Sequence, residues 1–91
     1  MSVTVRFFAN FRDEVGKSEI KLSASSVKEL LRIVSEKEEG IGKNMFKEDE
    51  LTLRDSISIM VNGRKINLLD GVDTELDDGD VVAIFPPVAG G

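Results

Sequence analysis

Apolar and polar residues alternate in several short stretches of the chain, which is the pattern of strands with one buried face. The predicted strands are residues 2–9, 19–22, 56–61, 64–68 and 81–85. The last of them is apolar on both faces, which is typical of a central strand. The alternation assigns one inner face of a sheet to Val3, Val5, Phe7, Ile20, Leu22, Ile57, Ile59, Val61, Val82 and Ile84.

One stretch has helical spacing instead. Apolar residues between positions 27 and 34 recur at intervals of three and four, which places them on one face of a helix. Ser26 and Glu29 form a capping box, in which the serine hydroxyl accepts from the amide of Glu29 and the glutamate reaches back to the amide of Ser26. We expect Gly40 and Gly42 to end this helix.

Turn residues separate the predicted elements. Residues 10–16 are expected to form a polar turn, and residues 43–55 a charged loop that contains a short helical turn. Asn62 and Gly63 are the pair that a type I′ hairpin turn favours, because both of its central positions need positive φ. The Asp-Gly-Asp stretch within residues 76–80 predicts a further tight turn.

The order of these elements, β-β-α-β-β-β, predicts the fold. A helix between a hairpin and further strands has to cross one face of the sheet. We therefore predict an α+β fold of the ubiquitin-like β-grasp type, in which one mixed sheet packs on one main helix. Residues 1–85 form this domain, and residues 86–91 form a flexible tail that ends in Gly-Gly.

The composition of the chain limits the kinds of catalysis and binding that it can carry out. The 91 residues include no Cys and no His, so the chain has no thiol nucleophile and lacks the usual general base. No apolar run is long enough to span a membrane and no signal peptide is evident, so we expect a cytoplasmic protein without membrane contact. The net charge of −5 argues against nucleic-acid binding and is compatible with a basic partner. Asp77, Asp78 and Asp80 are spaced as turn residues and not as EF-hand ligands, so no metal site is predicted.

Three apolar residues fall at outward positions of the predicted sheet, namely Phe8, Met60 and Phe85. The first and last strands are neighbours in a β-grasp sheet, so Phe8 and Phe85 should lie close together. Either the loop of residues 43–55 covers these side chains, or they anchor a docking surface for another protein. We favour docking.

The sequence of the C-terminal tail, residues 86–91, suits insertion into a narrow pocket of another protein. Pro86 and Pro87 fix two φ angles, so the first part of the tail is a stiff spacer. Gly90 and Gly91 lack a Cβ atom and fit a channel too narrow for other residues. Fully extended, residues 86–91 reach about 20 Å. A frayed terminus is the alternative.

Four stretches together resemble one family. They are "FFANFRDEVG" at residues 7–16, "SSV" at 25–27, "VNG" at 61–63 and "LDDGDVVAIFPPVAGG" at 76–91. This set resembles the small subunit of molybdopterin synthase, a ubiquitin-like sulfur carrier, and is similar to archaeal ubiquitin-like modifiers. The resemblance spans nearly the whole chain, apart from residues 40–55.

The resemblance implies a mechanism in which the chain is a carrier subunit and its partners supply the catalytic groups. An E1-like enzyme would use ATP to adenylate the Gly91 carboxylate, which would become a thiocarboxylate. The carrier, once it bears the thiocarboxylate, would dock on the large synthase subunit and donate sulfur to a pterin precursor. The chain itself would bind no cofactor. The implied partner-binding residues are Phe8, Arg12, Met60, Phe85, Pro86, Pro87, Val88, Ala89 and Gly90.

Two alternatives follow the same activation of Gly91. As a protein modifier, the chain would form isopeptide bonds with lysines. As a sulfur carrier of another pathway, it would serve the thiolation of thiamine or tRNA. The sequence leaves these alternatives open.

Overall fold

The alternating stretches form a five-stranded sheet in the computed structural model, which describes residues 2–45 and 57–86. The strands are β1 Val3–Phe7, β2 Glu19–Leu22, β3 Ser58–Val61, β4 Arg64–Lys65 and β5 Val81–Phe85. The helices are α1 Ala9–Val15, α2 Val27–Lys37 and α3 Glu39–Met45, and two short 3₁₀ turns are at Ile66–Leu68 and Gly71–Asp73. Within the described ranges, none of the helices has both the length and the apolar character that a membrane span requires.

The sheet is mixed and has the order β2-β1-β5-β3-β4. Strands β1 and β5 are parallel, whereas β1–β2, β3–β5 and β3–β4 are antiparallel pairs. Val5 shows the register, because it lies opposite Ile20 on one side and Val82 on the other. Strand β5 occupies the centre, as its apolar residues on both faces predict. The predicted β-grasp arrangement is confirmed.

The core lies between the inner face of the sheet and the helices. Every residue of the predicted inner face is buried except Ile20, which is half-buried on edge strand β2 and packs against the core. Burial of a large apolar side chain contributes about 1.5–3 kcal/mol, so this layer supplies much of the folding energy. The helices add Phe11, Val27, Leu30, Leu31, Val34, Ile41 and Met45 to the same core.

The predicted polar turn at residues 10–16 is wrong, because Ala9–Val15 forms helix α1. Phe11 is fully buried, and Val15, one helical turn later, is half-buried and packs against the core, so these two side chains hold the helix to the core. Gly16 ends the helix with φ 78°, and its N–H donates to the carbonyl of Arg12 at 2.9 Å. This is the left-handed cap that glycine favours.

The capping box of helix α2 is confirmed in one half only. The Glu29 N–H donates to Ser26 Oγ at 3.2 Å. The Glu29 carboxylate, however, accepts from the N–H of Ser25 at 2.9 Å, one residue earlier than predicted. Both groups still satisfy amides at a helix start that would otherwise lack partners.

The predicted helix stop at Gly40 and Gly42 is also wrong. Helix α2 ends at Lys37, and both glycines lie inside α3, Glu39–Met45. A Cβ atom on Gly42 would lie 2.7 Å from the Cβ of Ser35, so α3 approaches α2 more closely than any other residue would permit. The first residues of the predicted loop are therefore helical, and positions 46–56 lie outside the described residues.

The hairpin between β3 and β4 follows the prediction at its turn. Asn62 and Gly63 have φ of 51° and 84°, as a type I′ turn requires. The returning strand β4 is shorter than predicted, because residues 66–68 form a 3₁₀ turn that buries Ile66.

Candidate protein-docking face

The face of the sheet that points away from the helices, called here the outer face, carries an apolar centre. Its half-buried apolar side chains are Phe8, Met60, Val81, Ala83 and Phe85. They belong to neighbouring strands, because Met60 lies opposite Ala83 across β3 and β5. Aromatic residues and methionine are enriched at the centres of protein interfaces. The composition of this centre therefore suits protein contact.

Two aromatic rings on the outer face contact each other. The centroids of Phe8 and Phe85 are 4.4 Å apart, and the ring planes differ by 14°, so the rings are stacked. The parallel register pairs Phe7 with Ile84, and the next residue of each strand therefore comes side by side. Such a pair contributes about 0.5–1.5 kcal/mol beyond the area that it buries. The predicted proximity of the two rings is confirmed.

The backbone after β1 places Phe8 on the outer face. Phe8 is extended, with φ −131° and ψ 156°, and Ala9 then adopts φ 53°. A left-handed conformation costs a residue with a Cβ atom about 1–2 kcal/mol. The reversal directs two aromatic residues that are three positions apart to different places, since Phe8 joins the stack whereas Phe11 enters the core.

Arg6 extends the aromatic pair along β1. Its guanidinium lies 6.0 Å from the centroid of the Phe8 ring, at the limit of a cation–π contact. Its Nε is 3.9 Å from Oε2 of Glu19 on β2, and both side chains are about half exposed. Exposed pairs of this kind contribute about 0–1 kcal/mol, so Glu19 holds Arg6 only weakly.

The opposite end of β1 and β5 is polar, and its side chains bond to one another. The Asp80 carboxylate accepts from the N–H of Asp77 at 2.8 Å and from Nδ2 of Asn62 at 2.9 Å. Asn62 Oδ1 accepts from the N–H of Val81 at 2.9 Å. Asp80 therefore joins the turn before β5 to the hairpin turn after β3.

The N-terminal residues join this polar cluster. The N–H of Ser2 donates to Asp78 Oδ1 at 2.8 Å, and the N–H of Gly79 donates to the carbonyl of Ser2 at 2.8 Å. The aspartates thus act as turn formers, as predicted. Over residues 2–45 and 57–86, no three His, Cys, Asp or Glu side chains are grouped so that they would hold a metal ion.

The sequence profile of the ThiS family matches residues 5–91. The chain belongs to the ThiS family. Its members include ubiquitin-like sulfur carriers and modifiers, so the family resemblance in the sequence is confirmed at this level. The chain is 37% identical over 94 residues to small archaeal modifier protein 3 of Haloferax volcanii, with full coverage of both chains.

Solved structures show the same fold in related proteins. Small archaeal modifier protein 1 of Methanosarcina acetivorans superposes with a TM-score of 0.92 at 36% identity, covering 99% of this chain and 96% of that one. A Pyrococcus furiosus protein described as molybdopterin converting factor, subunit 1, superposes with a TM-score of 0.76 at 32% identity, covering 97% and 99%. The chain thus has the ubiquitin-like β-grasp fold.

The structure brings together some of the predicted contact residues of this ThiS-family chain. Phe8, Met60 and Phe85 share the outer face. Pro86 is buried directly after β5. Positions 87–91, which hold the rest of the predicted tail, lie outside the described residues.

Arg12 lies apart from the strands, in helix α1. Its N–H donates to the carbonyl of Phe8 at 3.4 Å and its carbonyl caps Gly16, so its backbone stabilises the segment after β1. The exposed side chain makes no hydrogen bond or ion pair with any described residue. A partner contact for this guanidinium stays a prediction.

Two members of the apolar centre did not feature in the sequence prediction. Val81 and Ala83 lie on the outer face between Phe85 and the turn before β5. The signal for them was present, because a strand that is apolar on both faces has to present apolar residues outward as well. The apolar residues on both faces were used only to predict a central position for the strand, and no contact was predicted for Val81 and Ala83.

Proposed function

We propose that this protein is a sulfur carrier for molybdopterin synthesis that offers the Gly91 carboxylate for activation. An E1-like enzyme joins this carboxylate to the AMP of ATP and releases pyrophosphate. Sulfide (HS⁻) then attacks the acyl carbon, AMP leaves, and the terminal carboxylate of Gly91 has become a thiocarboxylate. On the large synthase subunit the thiocarboxylate sulfur displaces an oxygen leaving group from a carbon of the pterin precursor. Water then cleaves the acyl–sulfur bond, which returns the Gly91 carboxylate and leaves the sulfur on the precursor.

The position of the Phe8–Phe85 stack is the observation that carries this proposal. Strand β5 ends at Phe85, and the predicted tail begins with the next residue. A protein seated on the stack therefore also meets the start of the tail. An extended segment of six residues reaches about 20 Å, far enough to enter an active site beside the docking surface.

The composition of the chain supports a carrier rather than a catalyst. The chain has neither Cys nor His, the residues that most often serve as nucleophile and general base. A free α-carboxyl group has a reference pKa of about 3.5, so it is ionised at neutral pH and resists nucleophilic attack. Activation with ATP, bound by the E1-like enzyme, removes that resistance.

A cytoplasmic location of the protein stays a prediction of this proposal.

A modifier role is the second candidate, and the names of two relatives favour it. Both the Haloferax and the Methanosarcina proteins are described as small archaeal modifier proteins. The same acyl adenylate would then be attacked by a lysine amine, with release of AMP and formation of an isopeptide bond. Carriers for thiamine or tRNA thiolation differ from the proposed one only in the molecule that accepts the sulfur.

The mass of the protein purified from its own host distinguishes these roles. Exchange of one oxygen for sulfur at Gly91 adds about 16 Da, which we expect in the carrier. Attachment of the chain to lysines of other proteins would instead favour the modifier. A chain that continues beyond Gly91 and is never trimmed would contradict both roles.

Two variants test directly whether the carboxylate of Gly91 is the group that is activated. Deletion of Gly91, and extension of the chain by one alanine, should each abolish ATP–pyrophosphate exchange with the E1-like enzyme and sulfur transfer, while the thermal midpoint stays unchanged. The extension keeps every native residue, so it separates the position of the carboxylate from the loss of a residue. Lys37→Ala, on the exposed side of α2, is the control and should retain full rates. Activity in either tail variant would refute the proposal.

A further inference from the structure

The outer face has a charge opposite in sign to that of the whole chain. Three cationic residues lie on it, Arg6 of β1, Lys21 of β2 and Lys65 of β4, because each shares a cross-strand pair with an outward residue. One carboxylate, Glu19, accompanies them. The described residues of this face therefore carry a net +2 in a chain of net charge −5, which leaves −7 for the rest of the sequence.

The register places the cations on both sides of the apolar centre. Arg6 lies opposite Ala83, Ala83 opposite Met60, and Met60 opposite Lys65, so the four residues form one row across the sheet. Neighbouring strands are about 4.8 Å apart, which puts the Cα atoms of Arg6 and Lys65 about 14 Å from each other. Lys21 lies on the Arg6 side, on edge strand β2.

These charges are available to another molecule. Lys21 and Lys65 are exposed, and neither ammonium group forms an ion pair or hydrogen bond with any residue in the described parts of the chain. Among the described residues, Arg6 makes the 3.9 Å contact with Glu19 and the 6.0 Å contact with the Phe8 ring, and both are weak. Because no described residue pairs with Lys21 or Lys65, and Glu19 holds Arg6 only weakly, these cations can attract carboxylates of another molecule.

We propose that the outer face binds a protein surface whose apolar centre is flanked by carboxylates, positioned to meet Arg6 and Lys21 on one side and Lys65 on the other. This inference rests on the docking role proposed above and names the chemistry of the partner. It reverses the expectation of a basic partner, because net charge averages over a whole chain whereas a docked surface meets only one face. The apolar row between the cations favours a protein over a nucleic acid, whose phosphates would have no counterpart at that centre.

Association with the E1-like adenylating enzyme of the same organism tests the inference. The variant Lys21→Glu/Lys65→Glu is compared with Lys28→Glu/Lys37→Glu, which changes the net charge equally but on exposed positions of helix α2. We expect the outer-face variant to lose about tenfold or more in association rate at 50 mM KCl, with dissociation little changed, as for charges at the rim of an interface. The loss should shrink at 300 mM KCl, where the Debye length is about 6 Å. The α2 variant should stay within about twofold of the native protein, and both should keep its thermal midpoint.

A third variant separates this inference from the proposed function. If Phe85→Ala weakens binding while Lys21→Glu/Lys65→Glu binds normally, the docking face stands and its acidic counterpart is refuted. If neither variant weakens binding, the docking face itself is wrong. Faster association of the outer-face variant would show a basic partner. Salt-sensitive binding of a 20-nucleotide poly(U) RNA that is lost in the outer-face variant would reassign the cations to nucleic acid.

Discussion

The two ends of the central strands β1 and β5 differ in what their side chains contact. At the end where both strands begin, which we call the turn end, Asp80, Asn62 and Asp78 bond to backbone and side-chain groups of neighbouring segments. At the end where both strands finish, the aromatic end, Phe8 and Phe85 stack on each other and remain half-buried. One end thus completes its interactions within the domain, and the other presents apolar surface.

This difference separates motifs that build the fold from residues that meet partners. The stretches "VNG" and "LDDGD" belong to the family resemblance, yet their polar side chains serve to connect two turns. Hydrogen bonds of this kind contribute about 0.5–1.5 kcal/mol each, so these residues have a role in stability without any contact to a partner. Resemblance in a motif therefore does not by itself indicate a contact residue.

The largest effect should come from exchanging Phe8 and Phe11, which are three positions apart, one at a time for alanine. Phe11 is fully buried, so Phe11→Ala should lower the free energy of unfolding by about 3–5 kcal/mol. Phe8→Ala removes a half-buried ring, and we expect it to cost about 1 kcal/mol of stability while weakening binding to the E1-like enzyme about 30-fold or more, as an interface hot spot would. Urea denaturation and titration calorimetry measure the two quantities. Equal losses of stability in both variants would show that Phe8 belongs to the core.

Asp80→Ala should produce the opposite pattern at the turn end. It removes two hydrogen bonds to a carboxylate and should lower the free energy of unfolding by about 2 kcal/mol, a fall of about 10 °C in the thermal midpoint of a domain of this size. Affinity for the partner, measured where the variant is fully folded, should stay native. The matched control is Asp73→Ala, whose exposed carboxylate has no hydrogen bond to a described residue. A similar loss of stability in both variants would mean that the change in net charge lowers the stability, and not the loss of the hydrogen bonds that connect the two turns.

The inner layer of the sheet was predictable because a strand with one buried face imposes a period of two. Helix α1 was not, since seven residues with one buried side chain leave no periodic signal. Gly42 was misread for another reason. A glycine that stops a helix and a glycine that admits a neighbouring helix look alike in sequence, and only the close approach of Ser35 distinguishes them.

The candidate docking face was predictable only in its aromatic part. Phe8 and Phe85 stood out as apolar residues at outward positions of two adjacent strands. The cations Arg6, Lys21 and Lys65 are far apart in the sequence, and they share a face only because of the order and register of the strands. The negative net charge of the chain gave no sign of them, since most acidic residues in the described part of the chain lie in helices and turns, away from this face.

The smallest effect is the coupling between the two turns, and it tests the comparison most directly. A double-mutant cycle of Asp80→Ala and Asn62→Gly isolates the bond from Asn62 Nδ2 to Asp80 Oδ1, because the bond from Val81 to Asn62 is lost equally with and without Asp80. Glycine keeps the left-handed backbone that position 62 requires. We expect a coupling energy of about 0.5–1 kcal/mol, as for a partly exposed charged hydrogen bond. A coupling near zero in urea denaturation would mean that the backbone ladder alone fixes the turn end, and that its side chains are as free to serve a partner as those of the aromatic end.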